Sequence, residues 1–211
     1  MIFRGYMTPI QIWNHFVALP GAQEIASPYA LHAIWHLYQD RDPKSVCEVG
    51  YGIGTISFML AMWRMSDTQI IAVEDDPWCI EQAHCNLGPM AGAVLWYDKI
   101  PHYETFDMVI VDGPQISDAD WYYTLGGRAV VIFEGNRRGQ RAVLEKTLRV
   151  KRRRYCRVNL KPEDRTKGIW VYWIDPTRGE RLTALRLTIF EAWRDFRARL
   201  CGQPIGKRRP T

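Results

Sequence analysis

Apolar and polar positions along this chain fall into two alternating rhythms. Short apolar runs, each too brief for a helix, carry acids at or next to their ends. They are Ser45-Val-Cys-Glu-Val49, Gln69-Ile-Ile-Ala-Val-Glu-Asp-Asp76, Ala93-Val-Leu-Trp-Tyr-Asp98 and Phe106-Asp-Met-Val-Ile-Val-Asp112. A fifth run, residues 127–134, ends in Glu134, with Gly135 and Asn136 as its turn. Helix-length segments lie between them at 55–65, 77–87 and 117–125. The segment after Asn136, residues 138–150, puts Val143, Leu144, Leu148 and Val150 on one side. Strands alternating with helices predict a doubly wound α/β fold, mostly parallel, with right-handed crossovers.

The flanks follow the same logic. Thr8-Pro-Ile-Gln11 predicts a capping box opening a helix that runs to about Leu19, where Pro20-Gly21 stops it. Ser27-Pro28 starts a second helix over 29–38, closed by Asp42-Pro43. Residues 155–160 and 168–174 predict a closing antiparallel strand pair joined by a polar turn. A last helix, 180–200, carries Leu182, Leu185, Ile189, Trp193, Phe196 and Leu200 on one stripe. That stripe is expected to pack onto the same domain, with a homodimer seam as the alternative. One domain spans 1–211: an N-terminal helical cap (1–44), an α/β core (45–176), and a C-terminal amphipathic helix with a basic tail (177–211).

The chemistry concentrates at Glu48-Val-Gly-Tyr-Gly-Ile-Gly54, between the first strand and the first crossover helix. Glycine lets the backbone turn sharply and lets a ligand approach closely. The dinucleotide pattern G-x-G-x-x-G fails, because its third glycine falls on Thr55 or Ser57. A phosphate loop fails too, because no Gly-Lys-Ser/Thr follows. The remaining pattern, E-x-G-x-G-x-G, resembles motif I of the class I S-adenosylmethionine-dependent methyltransferases. The later strand-end acids Glu74, Asp98 and Asp112 stand in that family's order.

The resemblance implies a seven-stranded sheet of order 3-2-1-4-5-7-6, last strand antiparallel, and S-adenosylmethionine as cofactor. It implies that Gly50, Tyr51, Gly52 and Gly54 line the cofactor and that Glu48 reaches its ammonium group. Glu74, with Asp75 beside it, would take the ribose hydroxyls, and Asp98 the adenine amino group. Asp112 would meet both cofactor and acceptor. Asp112 and Glu134 are the candidate catalytic groups, and Trp121, Tyr122 and Tyr123 are candidates for the acceptor pocket. Asp112-Gly-Pro-Gln115 departs from the Asn/Asp-Pro-Pro-Tyr/Phe motif of amino-methylating nucleic-acid enzymes. Gly113 also replaces the second polar residue of metal-assisted O-methyltransferases, so no metal is assigned. The acceptor is an O or N atom of unspecified identity.

Composition narrows the rest. Hydrophobic residues make up 47% of the chain, enough for a real core. No apolar run approaches the ~20 residues of a membrane span, and no signal peptide opens the chain, so the expectation is a cytoplasmic protein with no membrane partner. The five cysteines show no zinc spacing and read as reduced. His32 and His36, four apart, read as a helix flank.

Charge is asymmetric. Residues 1–136 hold 6 basic and 16 acidic side chains, and residues 137–211 hold 22 and 7, a net of −10 against +15. Within the second part, 137–167 holds 13 Lys or Arg against 3 acids, a candidate patch for a polyanion or nucleic acid. Two other functions stay open: a non-catalytic nucleic-acid-binding module on a methyltransferase scaffold, and an aminopropyltransferase-like enzyme.

Overall fold

A computed structural model describes residues 6–64, 67–113, 116–162 and 168–200. Its seven strands are β1 (Ser45–Val49), β2 (Gln69–Val73), β3 (Leu95–Tyr97), β4 (Phe106–Val111), β5 (Leu125–Glu134), β6 (Tyr155–Leu160) and β7 (Ile169–Ile174). They form one sheet of order β3-β2-β1-β4-β5-β7-β6. Strands β1 to β5 pair in parallel, and β7 runs antiparallel to both β5 and β6. This is the expected architecture.

Seven helices cover the sheet: α1 (Pro9–Phe16), α2 (Pro28–Arg41), α3 (Thr55–Met62), α4 (Pro77–Leu87), α5 (Asp118–Thr124), α6 (Arg138–Val150) and α7 (Arg178–Leu200). Successive strand residues point to opposite faces. Val46, Ile70, Met108, Ile110 and Ile132 meet α1 to α4 on one face. Cys47, Ile71, Val109, Val131 and Phe133 meet Trp121 of α5 and Leu144 and Leu148 of α6 on the other. Both faces are buried, so the inner strands read as continuous apolar runs.

Local chemistry sets the helix ends. The Thr8 capping box forms, with Thr8 N–H donating to Gln11 Oε1 at 2.8 Å. Helix α1 ends at Phe16, short of Leu19. Helix α2 runs three residues past Tyr38, until Asp42 turns left-handed at φ 43° just before Pro43. Val150, assigned to the apolar side of α6, is exposed, because it falls in the helix's last position beyond the sheet.

The stripe of α7 is the main departure. Leu182, Leu185, Ile189 and Trp193 are exposed, and α7 instead rests on β6 through Ala184, Leu187 and Glu191. Glu191 is held by Arg194 at 2.5 Å, and that same guanidinium donates to Lys161 O at 2.7 Å. This polar contact lies on the packed side, and the larger apolar stripe is turned outward. The side chains of Phe196 and Leu200 lie outside the described residues, as do Pro114, Gln115 and the basic tail.

Candidate functional site

The parallel ladder continues one residue past the strand tips. Gly50 N–H donates to Val73 O at 2.8 Å, Glu74 N–H to Tyr97 O at 3.1 Å, and Asp112 N–H to Val49 O at 2.9 Å. Three turns are thereby held level at the carboxyl edge, where open α/β sheets bind ligands.

The β1 turn closes against the β4 turn. A Cβ on Gly50 would lie 1.9 Å from Gly113 Cα, so neither position accepts a side chain. Gly54, at φ 91°, packs against α4, where a Cβ would stand 2.8 Å from Leu87. Gly52 differs: at φ 51°, nothing lies within 4 Å of where its Cβ would be. The middle glycine therefore faces open space while the outer two clamp the turn.

That space is a cleft of about 310 Å³, bordered by Glu48, Gly50, Tyr51, Gly52, Ile53, Thr55 and Ile56 from the turn and α3. Asp76, Trp78 and Cys79 border it from α4, and Asp112 and Arg137 from the β4 and β5 tips. The α1–α2 connection adds Gly21, Gln23, Ile25 and Ala26. Gly21, at φ 86°, lets this connection press against Trp78 and Ile53, since a Cβ there would sit 2.6 Å from the Trp78 ring.

Glu48 is 1% exposed, and its Oε2 accepts a hydrogen bond from Ser57 Oγ at 2.5 Å. Burial raises its carboxyl pKa, aided by the negative charges of Asp112 and Glu74, up to about 8. Burial and the same Glu74 charge, with that of Glu48, also push the Tyr51 hydroxyl upward. Thr55 Oγ1 is buried, with no hydrogen-bond partner among the described residues. An uncompensated buried hydroxyl is costly unless a ligand meets it.

Glu74 braces the turn. Its Oε2 accepts Gly52 N–H at 3.0 Å, and its Oε1 accepts Asp75 N–H at 3.1 Å and Asp76 N–H at 3.2 Å. A carboxylate has about four acceptor sites, so one remains on Oε2. Asp76 caps α4, accepting Trp78 N–H at 2.8 Å. Asp75 and Asp98 are exposed and do not line this cleft.

Arg137 ties the β4 and β5 tips together. Its guanidinium donates to Glu134 O at 3.0 Å, Gly113 O at 2.7 Å, and Asp112 O and Oδ1 at 2.5 and 3.0 Å. Glu134 is buried and does not line the cleft. Its carbonyl is what meets Arg137.

The structure thus brings together Glu48, Gly50, Tyr51, Gly52 and Asp112 around one cleft, with Gly54 and Glu74 bracing it. Sequence reasoning missed Thr55, Arg137, Gly21, Gln23, Ile25 and Ala26. Arg137 was counted only as part of a basic run, although its place after the β5 tip was a usable signal. Trp121 belongs to the core rather than an acceptor pocket, Tyr122 lies beneath Lys151, and Tyr123 stacks on His102. Residues 122 and 123 sit at the carboxyl end of α5, which leads down to the start of β5 and away from the strand tips.

The basic segment is not one patch. Arg141 is buried over Trp170, Lys146 pairs with Asp118, Arg153 with Asp175, and Arg157 with Glu145. Arg152 and Arg154 are exposed at the edge of the sheet opposite the cleft. Among the described residues, no three His, Cys, Asp or Glu side chains cluster as a metal site requires, and no helix is long and apolar enough to cross a membrane.

No family model matches the sequence, and no curated protein matches it closely. Solved structures do match. An O-methyltransferase from Bacillus cereus, in complex with SAH, aligns at TM-score 0.58 and 13% identity over 82% of this chain and 93% of its own. A methyltransferase from Podospora anserina, SAH-bound, aligns at 0.53 and 16% over 78% and 87%. The O-methyltransferase TomG from Streptomyces achromogenes, involved in tomaymycin synthesis and in complex with SAM, aligns at 0.52 and 16% over 80% and 88%. The chain has the class I methyltransferase fold.

Proposed function

We propose that this chain is an S-adenosylmethionine-dependent methyltransferase with an O or N acceptor. One observation carries the reading: the glycine turn leaves open space at Gly52, in the same cleft as the buried Glu48 carboxyl, which has no cation partner among the described residues. The orphaned Thr55 hydroxyl gives that space a second unmet polar group. Three similar structures carry SAH or SAM, which supports the same choice of ligand.

In this reading Glu48 holds the cofactor's ammonium, and Tyr51, Gly52 and Thr55 line its body. Glu74 offers its one spare lone pair to a ribose hydroxyl. Asp75 and Asp98, exposed and outside the cleft lining, would meet the ribose or adenine only beyond it. When bound, the sulfonium supplies a methyl group already activated for in-line displacement, so alignment is the protein's main task. Asp112, held by Arg137, would be the polar group facing the acceptor. Glu134 contributes through its carbonyl, which fixes Arg137.

A second reading has support of its own. Glu48, Asp76 and Asp112 outnumber Arg137 around the cleft, and an acidic cleft also suits an aminopropyl donor and a polyamine. Calorimetry with S-adenosylmethionine and its decarboxylated analogue separates the two. Tighter binding of the decarboxylated form would overturn the methyltransferase reading. A radiolabelled-methyl screen over RNA, DNA, protein and small-molecule extracts then identifies the acceptor. A nucleic-acid-binding module without catalysis has no use for an open Gly52 beside Glu48, and loss of all S-adenosylmethionine binding would be its signature.

A further inference from the structure

The outward side of α7 violates the burial pattern that the rest of the fold obeys. Leu182, Leu185, Ile189 and Trp193 are each 48–59% exposed. They follow one another at intervals of 3, 4 and 4, so the stripe repeats over 11 residues and stays in line on a straight helix. The side that packs on β6 is Ala184, Leu187 and Glu191, half a turn away. Exposed apolar residues scattered singly need no explanation, but a contiguous row does.

The charges beside the stripe identify what covers it. Arg178 and Arg186 border it and are exposed. Glu180 turns toward the body, where Arg41 and Arg128 hold it, and Glu191 is buried against Arg194. Among the described side chains, the outward side of α7 is therefore apolar and cationic, with no carboxylate. At the start of α7 a hollow of about 330 Å³ opens, bordered by Arg153, Arg154, Arg181, Tyr155 and Pro176.

A second copy of the chain would cover the leucines, but it would set Arg178 and Arg186 against their equals. Nucleic acid would meet the arginines and leave the stripe in water. A sheet of anionic headgroups over acyl chains meets both demands, as it does for interfacial amphipathic helices. Guanidinium groups also fork onto phosphate oxygens.

We propose that α7 seats this protein on an anionic lipid surface, with the Leu182–Trp193 stripe at the acyl boundary and the neighbouring arginines on phosphates. The absence of a spanning segment, which led the sequence reading to exclude a membrane partner, does not bear on such a peripheral contact.

Co-sedimentation of the full chain with vesicles of phosphatidylglycerol and phosphatidylcholine, against phosphatidylcholine alone, tests this. The wild type should pellet with the anionic vesicles and release them as salt rises. The double variant L185D/I189D should lower binding about tenfold or more, and R178E/R186E should do the same through charge. Circular dichroism melts and retained S-adenosylmethionine binding show that each variant is folded. Four results would overturn the proposal: no vesicle binding, wild-type-level binding by either variant, a wild-type dimer that L185D/I189D dissociates, or capture of RNA without vesicles.

Discussion

The strand-tip cleft and the outer side of α7 break the same rule in opposite directions. At the cleft the Glu48 carboxyl is buried with no cation beside it among the described residues. On α7 leucine and isoleucine side chains stand exposed in a row. Charged residues are seldom fully buried unless paired, and soluble domains seldom expose apolar patches in a row. Between the two regions the apolar strands are covered on both faces. The lesson is that a sequence consistent at every other level marks its binding surfaces where consistency fails. The cleft asks for a cationic ligand, and α7 asks for a surface that is apolar and anionic at once.

The largest test of the cleft is steric. Gly50→Ala should cost ~3 kcal/mol or more, because its Cβ meets Gly113 Cα and its φ is left-handed. Gly52→Ala, with open space around it, should cost only the ~1 kcal/mol of a left-handed alanine and yet weaken cofactor binding sharply. Urea melts of both, paired with calorimetry, would break the comparison if the two variants behaved alike.

Next in size is the packed side of α7. Ala184→Asp buries a charge against β6 and should destabilise by ~3 kcal/mol. Leu185→Asp, one residue on but facing outward, should shift stability by no more than ~0.5 kcal/mol. Thermal melts that ranked them the other way would show that the stripe packs after all.

A subtler effect concerns pH. Glu48 has an ordinary pKa near 4.5 and is pushed up to about 8, so the folded state binds its proton more tightly than the unfolded chain does. Stability is then greatest below the ordinary value and falls as pH rises toward 8, by at most ~1.4 kcal/mol per unit. Glu48→Gln should keep the contact with Ser57, remove that slope, and make the protein more stable than wild type at pH 8. Denaturant midpoints across this range check the sign. The smallest effect expected is at Glu74. Glu74→Gln keeps one acceptor and should lose ~1 kcal/mol of cofactor affinity, read by calorimetry.

Most of the fold was legible because both faces of the sheet are buried, which leaves β1, β2, β4 and β5 as unbroken apolar runs between polar breaks. The glycine turn was legible because only glycine tolerates the contacts at 50 and 54. What escaped was set by tertiary contact. Arg137 sits in a basic run, and only the meeting of the β4 and β5 tips turns it inward onto Asp112. Gly21 is a loop glycine until Trp78 is placed against it. The stripe of α7 carries the right period, but period cannot say which side a helix turns to the body. The packed side is the one where Ala184 and Leu187 meet the core and Glu191 and Arg194 meet Lys161.

The most direct measurement is a calorimetric titration of S-adenosylmethionine into wild type and Glu48→Gln at several pH values, in buffers of different ionisation enthalpy. A cofactor ammonium resting on Glu48 requires that carboxyl to ionise. Wild-type affinity should rise by up to about tenfold per unit toward pH 8, with a proton released on binding. The Glu48→Gln variant should bind at least about tenfold more weakly at pH 8, with no proton release. Absence of saturable binding by the wild type at every pH, or equal and pH-independent binding by both proteins, would contradict the account.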